Sequence, residues 1–129
     1  MKYLCLAYGD EQKFNAMSKS EMDDLIAKCG AYDQELQQGG HLVSGMSLGW
    51  GATTLRLRNG KLSITDGPFA ATKEVVGGLV VIEARDLNEA IQVASLHPAA
   101  RMGEELGWGV EVRPIEEFPP CKPDPSTQG

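Results

Sequence analysis

The order of apolar patterns along the 129 residues predicts an α+β fold, one antiparallel sheet with two helices on one face in the ferredoxin-like arrangement. Three observations carry this. KYLCLAY (2–8) and VVGGLVVIEA (75–84) are strand-like, and each precedes a capped amphipathic helix. Two alternating runs joined by Asn59-Gly60 read as a hairpin between the halves. Residues 108–114 alternate Val110 and Val112 with Glu111 and Arg113, which supplies a closing strand. The order strand–helix–strand, hairpin, strand–helix–strand is a βαβ-type duplication without an internal sequence repeat.

Each element has its own local reason. The first strand ends at Gly9-Asp10, and residues 10–17 read as a polar connection. Ser18 with Glu21 three residues later forms a capping box, which satisfies two free backbone N–H groups. Met22, Leu25, Ile26, Cys29, Tyr32 and Leu36 then recur at helical spacing until Gly39-Gly40 stops the helix. HLVSGM (41–46) reads as a short strand and SLGWGA (47–52) as a flexible loop. Thr53 to Arg58 and Lys61 to Thr65 form the hairpin, and Gly77-Gly78 is a candidate bulge in the strand that follows it. Asp86 and Glu89 cap a second helix with Leu87, Ala90, Ile91 and Ala94 as its apolar side, and Pro98 ends it. Residues 99–107 read as irregular. From Pro119 the chain is proline-rich with no large apolar side chain, so residues 1–118 form the domain and 119–129 an exposed, flexible tail.

The composition narrows the function. A net charge of −6 with scattered basic residues disfavours nucleic acid, whose phosphates demand a basic face, and it disfavours anionic membranes. The amino terminus carries no signal-peptide pattern and no stretch approaches a membrane span, so a cytoplasmic location is expected. Cys5, Cys29 and Cys121 are too widely spaced for a zinc or redox motif, and only two histidines are present, so neither a metal nor another cofactor is expected. Two helices cover only one face of the sheet. Leu4, Leu6, Leu79, Val81 and Val110 are candidates for the other, and a twofold, sheet-against-sheet homodimer is its simplest cover.

MKYLCLAYGDE at the start, the TTLRLRNGKLSITDGPFAATKE block, GGLVVIEARDLNEAIQVA and the closing VEVRPIEEF resemble the YCII-related family over residues 1–118. The tetrapeptide at 66–69 is similar to that of its DGPF branch. The resemblance implies the dimeric α/β-barrel version of the ferredoxin-like fold. Many relatives in that branch are encoded beside extracytoplasmic-function sigma factors, which implies a regulatory or stress setting. Some relatives in the wider family are small-molecule enzymes, including a dehalogenase-type activity with a proposed His–Asp pair. Here the first helix has no histidine, and His97-Pro98 stands where the wider family tends to carry Asp-Pro.

Several residues have two readings. Asp66 is a carboxylate at a pocket rim or the cap of its own turn. Gly67, Pro68 and Phe69 make a corner that doubles as a pocket wall. His97 is a proton-exchanging group or a cap on the C-terminus of the second helix. Tyr8 and Asp10 end a strand where a dimer cleft would open, and Arg101 pairs an acidic ligand or a surface carboxylate. Trp50 and Trp108 are lids or plain packing. Two functions remain open: a dimeric module acting through protein contacts in a sigma-factor-linked setting, or a small-molecule enzyme or ligand-binding protein using Asp66 and His97. The second requires a polar cavity and the first does not.

Overall fold

A computed structural model describes residues 1–116. Strand β1 (Lys2–Gly9) leads through a five-residue helix α1 (Glu11–Asn15) to the long helix α2 (Lys19–Gln38) and strand β2 (Leu42–Ser47). The hairpin β3 (Thr53–Arg58) and β4 (Lys61–Asp66) follows, then β5 (Val75–Glu83) and α3 (Leu87–Ala94). Two one-turn helices, α4 (Pro98–Arg101) and α5 (Gly103–Leu106), precede β6 (Gly109–Pro114). The main sheet has the order β2-β5-β1-β6 with every neighbour antiparallel, consistent with the ferredoxin-like arrangement, and the hairpin is a separate two-stranded sheet.

Alternation along β1 sends Tyr3, Cys5 and Ala7 into the core, where Ile82, Leu36, Ala84, Ala90, Val93 and Ala94 join them. Leu36 comes from α2 and Ala90 to Ala94 from α3, so both helices cover the same face. Burial raises the Cys5 thiol to about 11, which leaves it a packed, inert group. Register places Leu4 beside Val81 and Leu6 beside Leu79 on the opposite face. Val110 does not belong with them. It pairs with Ala7 and packs against the core, because β6 enters the sheet with its valines facing the helices.

The capping box forms as expected. Ser18 Oγ accepts from the Glu21 N–H at 3.1 Å, and the Glu21 carboxylate accepts from the Ser18 N–H at 3.1 Å. Ser18→Ala should therefore cost about 1 kcal/mol, read as a lowered denaturant midpoint at unchanged slope. The hairpin turn is also as expected, with Asn59 and Gly60 both at positive φ, 51° and 75°. The candidate bulge lies at Gly77, where pairing skips from Gly78 to Val76 opposite Ala7 and Tyr8.

Four local expectations need correction. Residues 10–17 are partly helical, because the Asp10 carboxylate caps α1 by accepting from Gln12 N–H and Lys13 N–H. Residues 99–107 carry two helical turns rather than irregular chain. On α3 the buried face is Ala90, Val93 and Ala94, while Leu87 and Ile91 are exposed. Small residues let the helix sit close to the sheet, a packing gain that hydrophobicity alone does not reveal. His97 does not cap the C-terminus of α3; its Nδ1 accepts from Ala99 N–H and caps the start of α4. The proline-rich tail, 119–129, lies outside the described residues.

Candidate functional site

A cavity of about 630 Å³ opens beneath α2, between that helix, the start of α4 and strands β1, β2 and β5. It opens where α2 touches the core at Leu36 and the side chains preceding it on that side are the small Cys29 and the exposed Asp33. The sheet side is lined by Ala7, Gly9, Gly45, Gly77 and Gly78, which contribute almost no side-chain volume. Phe14, Trp50 and Trp108 supply aromatic walls. Among the described residues no lysine or arginine lines it.

His97 and Asp33 both line this cavity. Burial lowers the pKa of His97, and the nearby Asp33 carboxylate offsets part of that effect. The imidazole is therefore neutral at pH 7. Because Nδ1 accepts the Ala99 N–H at 3.0 Å, the neutral ring carries its proton on Nε2. Such a ring donates a hydrogen bond from Nε2 rather than abstracting a proton there, and Asp33 is the group equipped to accept one.

Asp33 went unremarked in the sequence, although a signal was there. It falls four residues after Cys29 and three before Leu36, so an exposed carboxylate stands at the edge of the inner stripe of an amphipathic helix. The chain departs from the His–Asp pair implied by the family resemblance: here a carboxylate on the long helix and an imidazole preceding the proline line one cavity.

The other sequence-predicted residues are dispersed. Tyr8 borders the cavity and its hydroxyl donates to the Glu111 carboxylate at 3.3 Å. Asp10, only 3% exposed, is occupied as the α1 cap and stands 3.7 Å from Lys73 Nζ. Asp10 and Pro68 line a second cavity of about 510 Å³ together with Thr72, Lys73 and Val75. Asp66 lies at the exposed end of β4 and lines neither cavity. The corner after it is held by Gly67, whose φ of 130° suits glycine alone. Gly67 N–H donates to the Ala52 carbonyl, and Thr54 Oγ1 donates to the Gly67 carbonyl. Phe69 is 74% exposed with the Arg56 guanidinium 5.0 Å above its ring. Arg101 pairs with Glu35 at 2.9 Å and stacks over Tyr32, so it clips α4 to α2. Tyr8 and His97 thus meet at one cavity, Asp10 and Pro68 at the other, and Asp66, Phe69 and Arg101 at neither.

Among the described residues no helix is long and apolar enough to cross a membrane, and no group of three or more potential metal ligands is assembled.

Comparison with known proteins agrees with this architecture. The chain is similar to 5-chloro-2-hydroxyhydroquinone dehydrochlorinase (TftG) from Burkholderia phenoliruptrix AC1100, solved in complex with 2,5-dihydroxybenzoquinone. That similarity has a TM-score of 0.51 at 17% identity, covering 95% of this chain and 100% of that one, and it shows a shared fold. It is also 32% identical over 122 residues to the uncharacterized protein R00369 of Rhizobium meliloti (strain 1021), covering 93% of this chain and 96% of that protein. The model of the YCII-related domain matches residues 1–119, and the chain therefore belongs to the YCII-related family.

Proposed function

We propose that this protein binds a small organic molecule in the cavity beneath α2 and moves a proton on it, with Asp33 as the base and the His97 Nε2–H as donor to an oxygen of the ligand. The observation that carries this reading is the neutral, tautomer-defined imidazole and the carboxylate on the wall of one cavity. A carbonyl or phenol oxygen polarised by a neutral imidazole, with a carboxylate nearby to take the proton, is a competent arrangement for enolisation or a related elimination. A module acting only through protein contacts needs no such cavity, so the sigma-factor-linked reading draws less support. The structural neighbour is an enzyme acting on a small hydroxylated ring, which fits the same reading. The test is a mixture of small carbonyl and phenolic compounds in D₂O, followed by ligand-observed NMR for saturation transfer and deuterium wash-in. Hits should be lost in both His97→Asn and Asp33→Asn; hits indifferent to both substitutions would overturn the assignment.

The protein also acts as a homodimer in this proposal. The hairpin turns Leu55, Leu57, Leu62 and Ile64 to one side, each 58–73% exposed. Two strands alone are marginally stable in water, so such a ribbon calls for a partner surface. Its other side carries Arg56, Arg58 and Lys61 in a chain of net charge −6, which favours a second, acidic copy. The same partner would cover Leu4, Leu6, Leu79 and Val81. Sedimentation at micromolar concentration should give a dimer, and Leu57→Lys with Leu62→Lys should give a folded monomer. A wild-type monomer would remove this part of the proposal.

A further inference from the structure

Trp50 is the wall between the two cavities, since it lines both. Its indole lies in a slot floored by backbone. A Cβ placed on Gly9 would stand 3.0 Å from Trp50 Cη2, and one on Gly77 would stand 3.3 Å from both Cη2 and Cζ3. These two glycines sit on the neighbouring strands β1 and β5, and Gly77 is the bulge residue, so the slot is a flat-bottomed gap in the sheet shaped to an aromatic ring. Phe14 closes it from the side, with ring centroids 5.7 Å apart. Trp50 reaches the slot from the loop after β2, flanked by Gly49 and Gly51, neither of which has any atom within 4 Å of where a side chain would begin. The ring is held by its own contacts, and the short loop carrying it is tied at its ends, where Leu48 N–H donates to the Gly77 carbonyl and Gly67 N–H to the Ala52 carbonyl.

Beside the ring lies an unmet hydrogen-bonding need. Trp108 Nε1 is buried without a partner among the described residues, and it stands 3.4 Å from the same Gly9 position that Trp50 crowds. Buried donors are nearly always paired, and leaving one unpaired is costly. The Trp50 indole stands against the same Gly9 position but offers that N–H no oxygen or nitrogen acceptor, because its one nitrogen is itself a donor.

The geometry points to the Trp50 slot as a subsite for a planar, uncharged aromatic ring bearing a carbonyl oxygen, which displaces the Trp50 indole and accepts the Trp108 Nε1–H. This rests on the small-molecule reading above and specifies its ligand class. The ring inherits the glycine floor and the Phe14 contact, and the oxygen meets the orphan donor. The absence of any lysine or arginine among the described residues of the larger cavity, with Asp33 on its wall, selects against carboxylate and phosphate ligands.

The chain has two tryptophans, so its indole N–H region shows two signals, and Trp108→Phe assigns them. Three probes of similar shape separate the terms: 4-hydroxyacetophenone, 4-ethylphenol, which lacks the carbonyl, and 4-hydroxybenzoate, which is anionic. On titration with 4-hydroxyacetophenone, the Trp108 N–H should move downfield and the Trp50 N–H should exchange faster with water. 4-Ethylphenol should bind about tenfold more weakly, the equivalent of one net hydrogen bond, and 4-hydroxybenzoate more weakly still. Trp108→Phe should erase the preference for the carbonyl compound. The subsite is overturned if the Trp50 signal is unmoved at saturation, if Trp108→Phe keeps the preference, if the anion binds best, or if none of the three binds. Shifts at the His97 ring without any at Trp50 would overturn it while leaving the His97–Asp33 reading intact.

Discussion

Ile82→Ala should lower the free energy of unfolding by about 3 kcal/mol, with a fall of some ten degrees in the midpoint of thermal unfolding. Ile82 is completely buried, and register sets it beside Tyr3 on β1 and Leu42 on β2. It therefore sits where three adjacent strands meet the helices, and Ala84, Ala90 and Val93 share its cluster. Truncation removes apolar surface and leaves a hole that strands paired on both edges cannot close, so transfer and cavity costs add. Ile64→Ala offers the control. Ile64 is 66% exposed on the hairpin, so the same chemical change should alter the stability of a monomer by under about 0.5 kcal/mol. Denaturant titrations of both variants check the contrast, and equal losses would show that the core is not where the structure places it.

His97 carries the second large effect, because it serves two roles that substitutions separate. His97→Asn keeps a side-chain acceptor for the Ala99 N–H, so the α4 cap survives, but it removes the imidazole. Turnover of any compound found active should fall about a hundredfold or more while stability is nearly unchanged. His97→Ala loses the cap as well and should cost about 1 kcal/mol in addition. The pH dependence follows from the lowered pKa of the folded state. Above about pH 6.5 the ring is neutral in both the folded and unfolded chain, and it places no penalty on folding. As pH falls below that value the unfolded chain takes up a proton first, because burial resists charging in the fold and protonation of Nδ1 would break the cap. This contribution to stability is thus lost as pH falls through the folded pKa, and His97→Asn should flatten the slope there. Stability measured between pH 4.5 and 8 for both proteins tests this; identical profiles would place the imidazole in water.

Local chemistry was legible wherever it is written in neighbouring residues. Ser18 with Glu21, Asn59 with Gly60, and the alternation of β1 and β6 each name a backbone geometry that the chain adopts nearly irrespective of what packs on it. The face of α3 was not legible, because Leu87 and Ile91 compete with Val93 at the same helical spacing. Only the close approach permitted by Ala90 and Ala94 decides which side turns inward. Val110 was misplaced for a related reason. A strand has two faces of equal local merit, and its register against Ala7 chooses between them.

The candidate site belongs almost wholly to the second kind of information. Asp66 and His97 were the carboxylate and imidazole the sequence made conspicuous, yet the carboxylate that shares the cavity with His97 is Asp33, from a different element. Nothing in either local stretch encodes that meeting, since it depends on how α2 crosses the sheet. The slot holding Trp50 is likewise formed by two glycines on separate strands. Residues close along the chain determined the caps, turns and strand alternation, because backbone hydrogen bonding and side-chain spacing are short-ranged. Packing alone decided the cavity, its neutral imidazole and its unpaired indole N–H, because burial and desolvation are properties of surfaces brought together from distant parts of the chain.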